Sequence, residues 1–157
     1  MPERHLIDLA ATATRLADTP SLWEPLVDYD PVSRYYARLT LTAQHEAWLL
    51  TWVPGQGTDW HDHGGSAGAF VVVRGALAEE HARLQQDGSA VVSSTRQLAT
   101  GTLRPFGTRH IHRVTNTGLE PAVSIHVYAP ALTRMNGYVR EGDRLRLVES
   151  RLAGVSW

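Results

Sequence analysis

The spacing of apolar positions changes character once along the chain. Between residues 5 and 18, Leu6, Leu9, Ala10, Ala13, Leu16 and Ala17 recur at helical spacing and share one face of an amphipathic helix. Trp23, Leu26 and Val27 predict a second short helix, closed off near Tyr29-Asp30-Pro31. From Arg34 onward the period shortens to two. Tyr36, Arg38 and Thr40 alternate with Ala37, Leu39 and Leu41, and a second strand over 47–53 follows the turn Gln44-His45-Glu46. Further strands are predicted over 69–73, 76–84, 91–98, 101–105, 111–115, 123–128 and 138–148, with Arg74-Gly75 and Asp87-Gly88-Ser89 among the turns. Short strands joined by Gly-rich turns predict an all-β antiparallel sandwich or small barrel. No repeat, linker or low-complexity stretch interrupts residues 1–157, so one domain is expected, with the helical segment 1–30 packed on the barrel.

Charge removes several classes of function. Fifteen Lys and Arg against sixteen Asp and Glu leave a formal net charge of −1, which gives no reason to expect nucleic acid or an anionic membrane as partner. No apolar run is long enough to span a bilayer, and the N-terminus lacks the basic-then-apolar pattern of a signal peptide. Cysteine is absent, so disulfides, thiolate metal ligands and a Cys nucleophile are impossible. A cytoplasmic monomer is expected. Any metal must be held by carboxylates or by the eight His residues.

The densest chemistry is His61-Asp62-His63, preceded by Gly55 and followed by Gly64-Gly65-Ser66. Imidazoles at i and i+2 on a strand point to the same side and can reach one ion. Iron, copper, nickel and zinc all accept such ligands. A second cluster, His110-Ile111-His112, offers two candidates for a third ligand at the same spacing. Ser124, His126 and Tyr128 alternate with Val123, Ile125 and Val127 and therefore share one face. Three polar groups facing a barrel interior are costly unless hydrogen-bonded to one another or to a ligand. Arg38, with Tyr36 on its face, would need an anion inside a barrel mouth, and a planar carboxylate suits it. His5, His45 and His81 read as structural or surface residues, and Trp52 as core.

Two motifs resemble those of the cupin superfamily, whose fold is a double-stranded β-helix or jelly-roll barrel. The first is Gly55-x5-His61-x-His63-x4-Gly68-x6-Gly75; the second is Pro105-x-Gly107-x2-His110, with His112-x3-Asn116. The Glu that many cupins carry after the His pair is replaced by Ala67-Gly68. A more specific string looks like the cysteine dioxygenase branch: Tyr36-Ala37-Arg38, Trp52, His61-Asp62-His63, His112-Arg113-Val114-x-Asn116, and the run from Glu120 to Tyr128. That resemblance implies His61, His63 and His112 as Fe(II) ligands and Arg38 as the partner of the substrate carboxylate. It also implies Ser124, His126 and Tyr128 as a hydrogen-bonded triad beside the iron. Mammalian-type members carry a Cys cross-linked to the site Tyr where this chain has Gly68, so that thioether cannot form. The implied reaction is oxidation of L-cysteine by O2 to cysteine sulfinic acid. Other small thiol acids, such as 3-mercaptopropionate or mercaptosuccinate, and a non-catalytic metal-binding cupin are the alternatives.

Overall fold

The computed structural model describes residues 2–153, with side chains from Leu9 onward. Leu6 and His5 therefore lie outside the described side chains. Helix α1 (Pro2–Ala17) precedes eleven strands. In chain order these are β1 (Tyr36–Leu41), β2 (Glu46–Trp52), β3 (Trp60–His61), β4 (Ala67–Arg74), β5 (Leu77–Leu84) and β6 (Ala90–Leu98). They continue as β7 (Leu103–Phe106), β8 (Ile111–Thr115), β9 (Ala122–Ala129), β10 (Arg134–Glu141) and β11 (Arg144–Leu152). One five-stranded sheet runs β1-β2-β9-β4-β7, and β10-β11-β6-β5-β8-β3 close on themselves, with β3 paired to both β8 and β10. All pairings are antiparallel. No described helix is long and apolar enough to cross a membrane.

The central strands β2, β4 and β9 of the five-stranded sheet are buried on both faces, and their alternation decides what each face touches. Leu49, Ala69, Val71, Val123, Ile125 and Val127 face outward, where Leu9, Ala13 and Leu16 of α1 cover them. Burying each such Leu contributes on the order of 1.5–3 kcal/mol, so the helix acts as a lid on an otherwise exposed apolar face. Leu50, Trp52, Phe70, Val72 and Tyr128 point inward. Ser124 and His126 alternate with Val123, Ile125 and Val127 on β9 and so share that inner face.

Three local expectations are corrected. The second helix is two short 3₁₀ turns, Pro20–Leu22 and Glu24–Leu26, because Pro20 and Pro25 interrupt helical hydrogen bonding. The stretch 138–148 is not one strand. It is a hairpin between β10 and β11, turned at Gly142 with φ +68°, a conformation that favours glycine. His61 ends β3, whereas His63 lies just past it in a turn. Asp62 holds that turn: its carboxylate accepts from the Gly64 N–H (2.9 Å), the Tyr138 hydroxyl (2.7 Å) and Asn136 Nδ2 (3.0 Å). Gly64 adopts φ +59°, and a Cβ there would run into the Arg134 carbonyl.

Candidate metal centre

Strand pairing delivers the three histidines to one point. His61 on β3 stands opposite His112 on β8, and the Asp62 turn folds His63 back beside them. All three are buried, and one ring nitrogen from each lies within 4.8 Å of the others. His61 Nδ1 lies 2.9 Å from the Asp59 carbonyl oxygen, and His112 Nδ1 lies 2.7 Å from Glu79 Oε2. Both partners accept only, so each Nδ1 carries the proton and each Nε2 presents a lone pair. Those two Nε2 atoms face each other at 3.2 Å. Neither can donate to the other, a conflict that a bound cation would resolve. His63 Nδ1 is buried without any hydrogen-bond partner. Burial holds His61 neutral, its pKa lowered to about 4, and depresses His63 and His112 well below the usual imidazole range. Three neutral, desolvated donors fit a late first-row divalent ion.

His110 falls outside this group. It lies beyond Glu79, its Nε2 3.2 Å from Glu79 Oε2, and its ring stacks between Phe106 and His81. Glu79 itself escaped the sequence reading. It is buried on β5 and ties together His112, His110 and Arg104 (Nε to Oε1, 2.8 Å). Those hydrogen bonds hold its carboxyl far below the usual range despite burial. A carboxylate on the rear nitrogen of a ligating His fixes the tautomer and raises ligand basicity. His45 and His81 remain apart from the centre, with His45 in the Thr42 turn and His81 on Ser93.

In front of the histidines lies a small pocket lined by His61, His112, His126 and Tyr128. Ser124 Oγ lies 2.7 Å from His126 Nε2, and His126 Nδ1 lies 3.4 Å from the Tyr128 hydroxyl. Trp52 Nε1 donates to Ser124 Oγ at 2.9 Å. Trp52 can only donate, so Ser124 accepts from it and passes its own proton to His126 Nε2. His126 then bears its proton on Nδ1, facing the phenol oxygen. Burial lowers the His126 pKa to about 3 and raises that of Tyr128. Trp52, expected as plain core, thus anchors the triad as well.

The arginine reading changes. Arg38 and Tyr36 lie on the inner face but on the outermost strand, both exposed and packed against Trp48. Neither lines the pocket. Arg34, just ahead of β1, does line it, with its guanidinium 5.2 Å from the Trp52 ring centre. Burial lowers the Arg34 pKa to about 10, which leaves it charged at neutral pH. Arg151 of β11 lines the same pocket. Both arginines depend on long-range closure of the fold and carry no local signature in the sequence. Gly68 has a packing reason of its own: a Cβ there would sit 2.7 Å from the Val127 carbonyl oxygen and collide with the Phe106 ring. That ring fills the space beside Tyr128 and stacks on His63 at 4.6 Å.

Solved structures with this architecture include TT1209 from Thermus thermophilus, at 21% identity and TM-score 0.59 over 69% of this chain and 93% of that one. A double-stranded β-helix protein from Klebsiella pneumoniae matches at 18% identity and TM-score 0.58, over 68% of this chain and 80% of its own. A cupin superfamily protein from Desulfitobacterium hafniense matches at 9% identity and TM-score 0.54, over 69% and 87%. At these identities the likeness speaks for the fold alone. The chain has the double-stranded β-helix fold of the cupins and a candidate three-histidine metal site. The family description of cysteine dioxygenase type I matches residues 5–141, and the chain belongs to that family.

Proposed function

We propose that this protein is an Fe(II)-dependent dioxygenase that oxidises the thiol of a small thiol carboxylic acid, with L-cysteine the first substrate to test. The observation that carries the reading is the convergence of three neutral imidazoles with facing lone pairs, within a chain of the cysteine dioxygenase type I family. Fe(II) held by His61, His63 and His112 would supply the redox chemistry that dioxygen requires and acidify the thiol. The balance is RSH + O2 → RSO2⁻ + H⁺: both oxygen atoms join sulfur, which gives up four electrons to O2 and reaches the sulfinic level.

The chain's own residues supply the rest. Arg34 offers a guanidinium fork to the substrate carboxylate, the role expected of Arg38. The Trp52-Ser124-His126 relay fixes the Tyr128 hydroxyl at the cavity wall, where it can hold a proton beside the reacting sulfur. Leu50, Val114 and Met135 line the same cavity and limit water. Three neutral His ligands would leave the charge of a bound ion for an anionic substrate group to balance. The test is anaerobic loading with Fe(II), then oxygen uptake across a panel of small thiol acids with mass detection of sulfinate. One O2 consumed per thiol is expected. Bound iron with no uptake for any thiol would leave a metal-binding cupin and sink the proposal.

A further inference from the structure

Cysteine is absent and methionine occurs twice, so Met135 carries the chain's only sulfur after Met1. That sulfur sits in the wall of the cavity beside the histidines. Met135 on β10 is 5% exposed, belongs to the core cluster of Leu50, Trp52 and Tyr128, and lines the pocket. Gly137, two residues on and on the same face, stands opposite His61. Across the β10–β11 hairpin Met135 is paired with Arg151, and directly opposed side chains lie roughly 4.5–5.5 Å apart at Cβ. The charge of Arg151 is compensated, since its Nη1 meets Glu149 at 2.9 Å. Its Nε, however, is buried with no acceptor, which is unfavourable for a donor out of reach of water. The thioether opposite is only a weak acceptor. A sulfoxide in its place is a strong one.

We propose that Met135 is an oxidation site built into the pocket wall: hydrogen peroxide entering the cavity transfers one oxygen to its thioether, and the sulfoxide oxygen accepts from Arg151 Nε. In that step the O–O bond breaks and an S–O bond forms. Sulfur gives up two electrons to the peroxide, whose second oxygen leaves as water with both protons. The Nε–H stabilises the transferred oxygen as it gains negative charge on sulfur. Oxidation turns a flexible apolar side chain into a polar, chiral one, in a wall that Leu50 and Val114 keep apolar. Methionine sulfoxide reductases return the thioether. The pocket thereby carries a reversible off-switch. The oxidation site stands without the thiol dioxygenase reading, whereas its effect on turnover rests on it.

The experiment treats the metal-free full chain with hydrogen peroxide and follows the tryptic peptide 135–140 by mass. A gain of about 16 Da, one oxygen, is expected at a rate within roughly tenfold of that of free methionine. Arg151→Gln should slow it roughly tenfold, the worth of one charge-assisted hydrogen bond. Arg146→Ala, a solvent-facing change on the same strand, should leave the rate unchanged. A second readout needs no variant. On oxidation the Arg151 Nε–H proton resonance should move downfield and exchange more slowly with solvent. Oxidised protein then loaded anaerobically with Fe(II) should show thiol-dependent oxygen uptake lowered roughly tenfold, recovered after treatment with a methionine sulfoxide reductase. Oxidation of Met135 more than about tenfold slower than that of free methionine, equal rates in Arg151→Gln, an unmoved Nε–H resonance, or uptake untouched by complete oxidation would overturn the proposal. No uptake before peroxide, with Met135 oxidised as expected, would overturn the dioxygenase reading and keep the oxidation site.

Discussion

Behind the histidines lies Glu79, a buried carboxylate shared by His112, His110 and Arg104. In front lie Ser124, His126 and Tyr128, a relay with no formal charge. The rear network fixes a tautomer and puts negative charge next to a ligand. The front network orients a phenol without adding charge, so the cations that line the pocket are Arg34 and Arg151. A carboxylate in the front wall would compete for those cations. On the proposed reading, this division of charge between the two sides would favour an anionic ligand in the pocket.

The comparison predicts which side chains matter most. His63 belongs to neither network, and its Nδ1 has no protein partner. His63→Ala should abolish stoichiometric Fe(II) binding and lower oxygen uptake by on the order of 10³ or more. Metal analysis after anaerobic loading checks it, and near-stoichiometric iron in the variant would remove His63 from the centre.

Arg34 and Arg38, four residues apart, sharpen the contrast between the pocket and its surroundings. Losing a charge-assisted contact to a carboxylate costs about 1.5–3 kcal/mol, so Arg34→Ala should raise KM roughly 10- to 100-fold. Arg38 sits exposed over Trp48 on the outer strand, and Arg38→Ala should change KM by no more than about twofold. The reverse order in steady-state kinetics would return the carboxylate to Arg38.

The sequence made one side of this comparison far more legible than the other. His61, His63, Ser124, His126 and Tyr128 sit at i, i+2 spacings, and a local period is enough to group them. Glu79 meets His112 across 33 residues through the β5–β8 pairing, and nothing near Glu79-Glu80 marks which of the two turns inward. Arg38 carried the family-like Tyr-x-Arg pattern and shares the sheet's inner face, but strand β2 separates it from the site strand β9. Arg34 and Arg151 reach the cavity only once β11 and the segment before β1 are in place. The hairpin at Gly142 was readable from Glu141-Gly142-Asp143, yet the apolar positions on either side suggested one continuous strand.

Glu79→Gln tests the rear network. The amide keeps the volume but loses the charge and one acceptor, so Fe(II) affinity should fall roughly 10- to 100-fold, as for other partners of ligating histidines. Glu79 is held ionised far below its ordinary range. Its contribution to stability is therefore present above the unfolded carboxyl pKa, near 4.3, and is lost as pH falls below it. Acid unfolding of the metal-free variant should lack that component, and an unchanged acid limb would contradict the proposed network.

The front network titrates in a different window, which lets pH separate the two. Folded His126 refuses a proton until about pH 3 because burial disfavours the cation, whereas in the unfolded chain it titrates near 6.5. Between those values the unfolded state binds more protons, so stability falls as pH falls, by at most ~1.4 kcal/mol per pH unit for this one group. The other buried histidines add slopes of the same sign, so only a difference isolates His126. Urea unfolding of wild type and His126→Gln at pH 7.5, 6 and 5, both metal-free, should give stabilities that converge as the pH drops. The variant's deficit should be largest at 7.5, where the neutral relay is intact. A deficit constant across the three pH values would mean that His126 is not held neutral by burial, and the uncharged front wall would lose its physical basis.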